Sequence, residues 1–109
     1  MSVGIENASI VDLVTLDAKR EEYALIMVAT EPWNNERALA LQSKIEAYLN
    51  FVESGAFVGS YPEARGKRIR FQLNTTYPPT DIIAKFVNHT ESHWLAPHGI
   101  RFVVQEMKQ

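Results

Sequence analysis

The chain contains no cysteine, and that absence removes disulfides, thiolate zinc sites, iron–sulfur clusters and any cysteine nucleophile. A reducing compartment such as the cytoplasm suits it. Long apolar runs are missing too. The longest, Tyr23 to Ala29, falls far short of the roughly 20 residues a membrane-spanning helix needs, so a soluble protein with no membrane partner is expected. The opening Met1-Ser2-Val3-Gly4-Ile5-Glu6-Asn7 holds no basic residue, and Asp12 interrupts the apolar stretch behind it, which does not describe a secretory leader. Strong charge of one sign is also lacking. Eleven Lys and Arg stand against thirteen Asp and Glu, a formal net charge of −2. That balance does not suit a surface given over to nucleic acid, and it confines any anion site to a local patch.

Catalytic signatures are scarce. No serine lies in a G-x-S-x-G elbow, and Gly55, Gly59 and Gly66 fit neither a phosphate loop nor a dinucleotide fingerprint. No cofactor is implied, and an enzyme is the less favoured class. What the chain does have is apolar content: 46% of its 109 residues are hydrophobic, enough for one domain that buries about two-thirds of its unfolded surface. Residues 1–7 read as a flexible N-terminal tail and 8–109 as a single domain.

The apolar spacing predicts the elements in turn. Ala8 to Leu16 and Tyr23 to Thr30 read as two strands of a hairpin, joined through Asp17-Ala18-Lys19-Arg20. Pro32 stops the second strand, and Asn34 or Asn35 can cap a helix over about Glu36 to Ser54. In it Ala38, Leu41, Ile45, Tyr48, Leu49 and Val52 form one stripe, and Gly55 ends it. Ala56 to Gly66 reads as a folded connection broken by Gly59, Pro62 and Gly66. Lys67 to Asn74 alternates as a strand, with Ile69, Phe71 and Leu73 opposite Arg68, Arg70 and Gln72. Thr80 can cap a second helix over about Asp81 to Leu95, buried through Ile83, Phe86, Val87 and Trp94 and closed by Pro97 and Gly99. Ile100 to Glu106 reads as the last strand. The order is β-β-α-β-α-β. Two right-handed crossovers moving the same way put both helices on one face. The expected fold is therefore an α+β two-layer sandwich, a four-stranded mixed sheet with two helices on one face.

Glu31-Pro32-Trp33, the stretch Tyr48-Leu49-Asn50-Phe51-Val52-Glu53-Ser54-Gly55, Tyr61-Pro62 before Gly66-Lys67, and the closing His98-Gly99-Ile100-Arg101-Phe102 carry a likeness. Through them the chain resembles a small bacterial family, a domain of unknown function whose members are about this long. The resemblance runs from about Ile10 to Val104. It implies a bacterial cytoplasmic protein and transfers no catalytic or binding residue.

The candidate surface is the sheet face the helices leave free. Arg68, Arg70 and Gln72 fall there beside Arg101, Val103 and Gln105, and the hairpin adds either Ala24, Ile26 and Val28 or Tyr23, Leu25 and Met27. An apolar strand on an open face calls for a cover, and a second copy of the chain is the simplest one. The leading expectation is thus an interaction module that forms a homodimer through this face. The alternatives are a small enzyme without a recognisable motif, or an anion-binding platform made by the three arginines for phosphate, nucleic acid or an acidic partner. Asp12 and Glu106 are the carboxylates expected to neutralise the arginines, and nucleic acid is disfavoured by the few aromatics there. Trp33 reads first as a lid that staples the helix after it and second as a ligand contact. His89 and His93, four apart on a helix, and His98 just beyond it are weak metal candidates. Without an H-E-x-x-H pattern they read more simply as solvent-facing flanks of the core stripe.

Overall fold

The computed structural model describes residues 4–8 and 10–107. It contains β1 (Leu13–Asp17), β2 (Glu22–Ala29), α1 (Asn35–Glu53), the short α2 (Ala56–Ser60), a 3-10 turn (Pro62–Ala64), β3 (Arg68–Thr75), α3 (Asp81–Thr90), a π-helical turn (Glu91–Leu95), a 3-10 turn (Ala96–His98) and β4 (Ile100–Glu106). The strands form one mixed sheet in the order β1-β2-β3-β4. β1 and β2 are an antiparallel hairpin, while β2–β3 and β3–β4 are parallel, as crossovers through α1 and α3 require.

Both long helices lie on one face. Leu41, Ile45 and Tyr48 of α1 and Ile83 and Val87 of α3 share a single core with Tyr23, Leu25, Met27, Phe71, Leu73, Ile100 and Phe102. The α+β two-layer sandwich with a four-stranded mixed sheet is the observed architecture. Of the two hairpin parities, Tyr23, Leu25 and Met27 turn to the helices, and Ala24, Ile26 and Val28 turn away with Glu22. Helix starts follow local chemistry: the Asn34 side chain accepts from Arg37 N–H at 2.9 Å, and Thr80 Oγ1 from Ile83 N–H. Gly55, at φ 87°, makes the left-handed joint between α1 and α2 that a side chain would strain.

Several expectations are corrected. The opening segment is not loose where it is described. Ile5 is 1% exposed in the core and donates its N–H to the Val28 carbonyl at 2.9 Å; residues 1–3 lie outside the described set. The first strand begins at Leu13, because Asp12 turns its carboxylate inward to bond Gly4 N–H and Val28 N–H. Ser9, within the expected strand, is also outside the described residues. The connection after Gly55 holds α2, whose Phe57 is fully buried against Tyr23, Phe51 and Tyr61. The helix expected to run to Leu95 leaves α geometry after Thr90. Pro97 lacks an N–H and its ring crowds the carbonyl four residues back, and the widened π turn followed by a 3-10 turn accommodates it. Among the described residues no helix is long and apolar enough to cross a membrane.

Lys44 is the least expected core residue. It belongs to the α1 stripe, three after Leu41 and four before Tyr48, and is 0% exposed. Its ammonium donates to Asp12 Oδ1 at 2.7 Å and to the carbonyls of Asn7 and Ile10 at 2.5 and 2.8 Å, so all three N–H groups are used. Tyr48 completes the cluster, accepting from Asp12 N–H at 2.8 Å and donating to the Ile26 carbonyl at 2.7 Å. Burial pushes its phenol pKa well above the ordinary value. Together these bonds fasten Gly4, Asn7, Ile10 and Asp12 to α1 and β2.

Candidate interaction surface

Strand register lays out the helix-free face row by row. Asp17, Glu22 and Arg68 lie across one end; Thr15, Ala24, Arg70 and Arg101 follow, then Leu13, Ile26, Gln72 and Val103, and finally Val28, Asn74 and Gln105. Arg68, Arg70, Gln72 and Arg101 therefore share one surface. Trp33 does not. It lies where β2 and β3 end, half-buried against the core, and its indole N–H reaches Thr75 Oγ1 and the Tyr77 carbonyl at 3.2 Å each. There it lines a small cavity of about 180 Å³ with Asn34, Ala38, Thr80, Ile82 and Ile83.

The arginines are already engaged. Arg101 grips Glu22 with two N–H groups, at 3.0 and 2.6 Å, and Arg70 bonds the same carboxylate at 3.0 Å. Arg70 also reaches Asp17 at 3.1 Å and Gln72 Oε1 at 3.0 Å. Gln72 passes the chain on to Asn74 and Gln105 at 2.8 and 3.2 Å. Arg68 donates to the Arg20 carbonyl. The two guanidinium groups, Arg101 first, hold the Glu22 carboxyl down to about 2, well below its usual range, against the opposing pull of burial. Arg70 likewise lowers Asp17, and Glu22 raises Arg101.

The neutralising carboxylates are thus Asp17 and Glu22, where Asp12 and Glu106 were expected. Asp12 is committed to Lys44, and Glu106 shares the parity of Ile100, Phe102 and Val104, which faces the helices. β2 begins one residue before Tyr23, so Glu22 shares the parity of Ala24 and Ile26 and lies opposite Arg68, from where its carboxylate reaches both Arg70 and Arg101. Chemically, the face offers paired charges of both signs. A free anion arriving there has to compete with a buried carboxylate for the guanidinium forks.

A family model covers residues 1–108 of the chain. The chain belongs to DUF6572, a family of unknown function. A search of curated proteins gave no match, and neither did one of solved structures.

The three histidines do not converge. His89 and His93 stack with ring centroids 4.1 Å apart, and His93 Nδ1 lies 3.1 Å from the His89 carbonyl. His98 pairs instead with Glu53 at the end of α1, at 2.7 Å. Among the described residues no group of three or more His, Asp or Glu is arranged to hold a metal ion. Glu91 has a structural task, with Oε2 accepting the Phe102 N–H of β4 at 2.7 Å.

Proposed function

We propose that this member of DUF6572 is a small interaction module of the bacterial cytoplasm that forms a homodimer through the helix-free face of its sheet, with Arg68, Arg70, Gln72 and Arg101 in the contact. The observation that carries the reading is the charge layout of that face. Asp17 and Glu22 alternate with Arg70 and Arg101 in one hydrogen-bonded chain across two rows, beside the exposed Leu13 and the half-buried Val28, with Ala24 and Ile26 between them already buried within the single chain. A face carrying both signs is complementary to its own copy turned about a two-fold axis, whereas a single-sign face repels itself. Isologous packing of two such sheets about 10 Å apart is a familiar way to cover them. The same pairing of charge argues against the anion platform, since its forks have partners within the chain.

Sedimentation analysis of wild type and Val103→Glu tests this. Val103 is half-buried on the open face of β4, so the variant should lose the face contact with helix content unchanged. Arg101→Glu, at a side chain 44% exposed, should do the same. An unchanged mass for both folded variants refutes the reading. Salt-sensitive binding of single-stranded RNA by wild type, lost in Arg101→Glu, would favour the anion platform instead.

A further inference from the structure

The two edges of the sheet are treated differently. At the β4 edge the Glu91 carboxylate takes up the Phe102 N–H, which blocks that position as a template for a further strand. Among the described residues no side chain does this for β1. Its sequence, Leu13-Val14-Thr15-Leu16-Asp17, has no proline or lysine, the residues that usually discourage strand addition. It also presents Leu13 and Leu16 at 50% and 52% exposure. Since α1 and α3 cover the parallel strands, the helix-side flank of β1 stays open as a groove of about 390 Å³ lined by Val11, Val14, Phe51 and Tyr61.

We infer that β1 is a second joining surface, at which two copies pair their β1 strands antiparallel about a two-fold axis through Thr15. This register sets Thr15 against Thr15 of the partner subunit, Val14 against the partner's Leu16 and Leu13 against the partner's Asp17. Val14 and Leu16 share the helix-side face, being opposite Leu25 and Tyr23 of β2. The partner's Leu16 therefore enters the groove beside Val14, and Leu16 enters the partner's groove in return. An exposed knob and a groove whose walls carry Val11, Val14, Phe51 and Tyr61, with Asp12 and Ser60 at its polar side, lie two residues apart on one strand and meet their counterparts about that axis. Pairing also gives hydrogen-bond partners to the outer backbone of both strands and joins two four-stranded sheets into one. The joint does not depend on the face contact proposed above: it uses β1, three strands away from Val103 of β4.

The absence of cysteine permits a register-specific test. Residues directly opposite in an antiparallel pair have Cα atoms about 4.5 to 5.5 Å apart, which suits a disulfide. Thr15→Cys should therefore cross-link to a covalent dimer under mild oxidation. Leu13→Cys should not, because four residues of strand rise, roughly 13 Å, separate it from its own copy. Leu13→Cys mixed with Asp17→Cys should cross-link as a hetero-pair. In sedimentation, wild type joined at both surfaces should exceed the mass of a dimer, and Leu16→Lys should lower the Val103→Glu chain, whose face contact is blocked, from dimer to monomer. If Thr15→Cys cross-links no faster than Leu13→Cys, or Val103→Glu is already monomeric at high concentration, the edge joint is wrong. The latter result with a dimeric wild type would leave the face reading standing alone. A Leu16→Lys chain that loses mass while Val103→Glu does not would fail the face reading and keep the edge.

Discussion

Replacing Asp12 with alanine is the sharpest probe of what holds the domain together. Asp12 Oδ1 and Oδ2 accept from Gly4 N–H at 3.0 Å, Val28 N–H at 2.9 Å and the Lys44 ammonium at 2.7 Å, and both side chains of the ion pair are 0% exposed. Without the carboxylate, Lys44 keeps only the Asn7 and Ile10 carbonyls, neither of which carries a compensating charge. Removing one partner of a buried pair costs about 3 to 5 kcal/mol, a large share of the roughly 5 to 15 kcal/mol that holds a domain folded. At about 4 to 8 °C per kcal/mol for a domain near this size, Tm should fall by roughly 12 to 40 °C. Lys44→Met in the same chain removes the orphaned charge, so the double variant should be more stable than Asp12→Ala alone. It should stay below wild type, because the Gly4 and Val28 N–H groups still lack an acceptor. Urea unfolding of the four chains gives the coupling energy. A loss under about 1 kcal/mol for Asp12→Ala, or a double variant destabilised by the sum of the single losses, would show that the pair is not the fastening described.

Glu22 makes stability depend on acid. Its folded pKa of about 2 lies below the ordinary 4.5, so its contribution is complete above about pH 4.5 and is lost as pH falls toward 2. The full shift corresponds to about 3 kcal/mol, reduced toward about 1 by solvent screening at the half-exposed Arg101. Glu22→Gln should flatten the urea midpoint between pH 4.5 and 2 relative to wild type; parallel curves would contradict the assignment. Glu91→Ala should cost about 1 kcal/mol and speed amide exchange at Phe102, with Glu91→Gln restoring most of the protection by keeping an acceptor. Equal exchange in both variants would mean that the edge bond is idle.

Much of the fold was legible because its signals are local. The alternation of Ile69, Phe71 and Leu73 with arginine and glutamine predicts β3, and the stripe through Leu41, Ile45 and Tyr48 predicts α1. Crossover handedness then puts both helices on one side. The five polar residues expected on the open face, Arg68, Arg70, Gln72, Arg101 and Gln105, do share it, while the identity of their counter-ions depended on where β2 begins. Lys44 and Asp12 were hidden for a different reason. Each reads alone as a charge interrupting an apolar pattern, and only the tertiary fold brings residues 32 apart in sequence to within 2.7 Å. The π turn was equally hidden, since Pro97 announces that the helix must end but not how its last carbonyls are rearranged. The packing of Ile5 needs the pocket that β2 and α1 build later in the chain.

The strand order β1-β2-β3-β4 places each strand beside the one synthesised just before it. No segment has to be inserted between two that are already paired, and the sheet is built outward from the hairpin, one helix and one strand at a time. The hairpin closes over a short turn, whereas the two parallel pairings join residues 46 and 31 apart in sequence, so they are the slow steps in building the sheet. The outermost β1 strand is complete from the first hairpin onward, while the groove beside it takes shape only when Phe51 and Tyr61 arrive with the elements that follow.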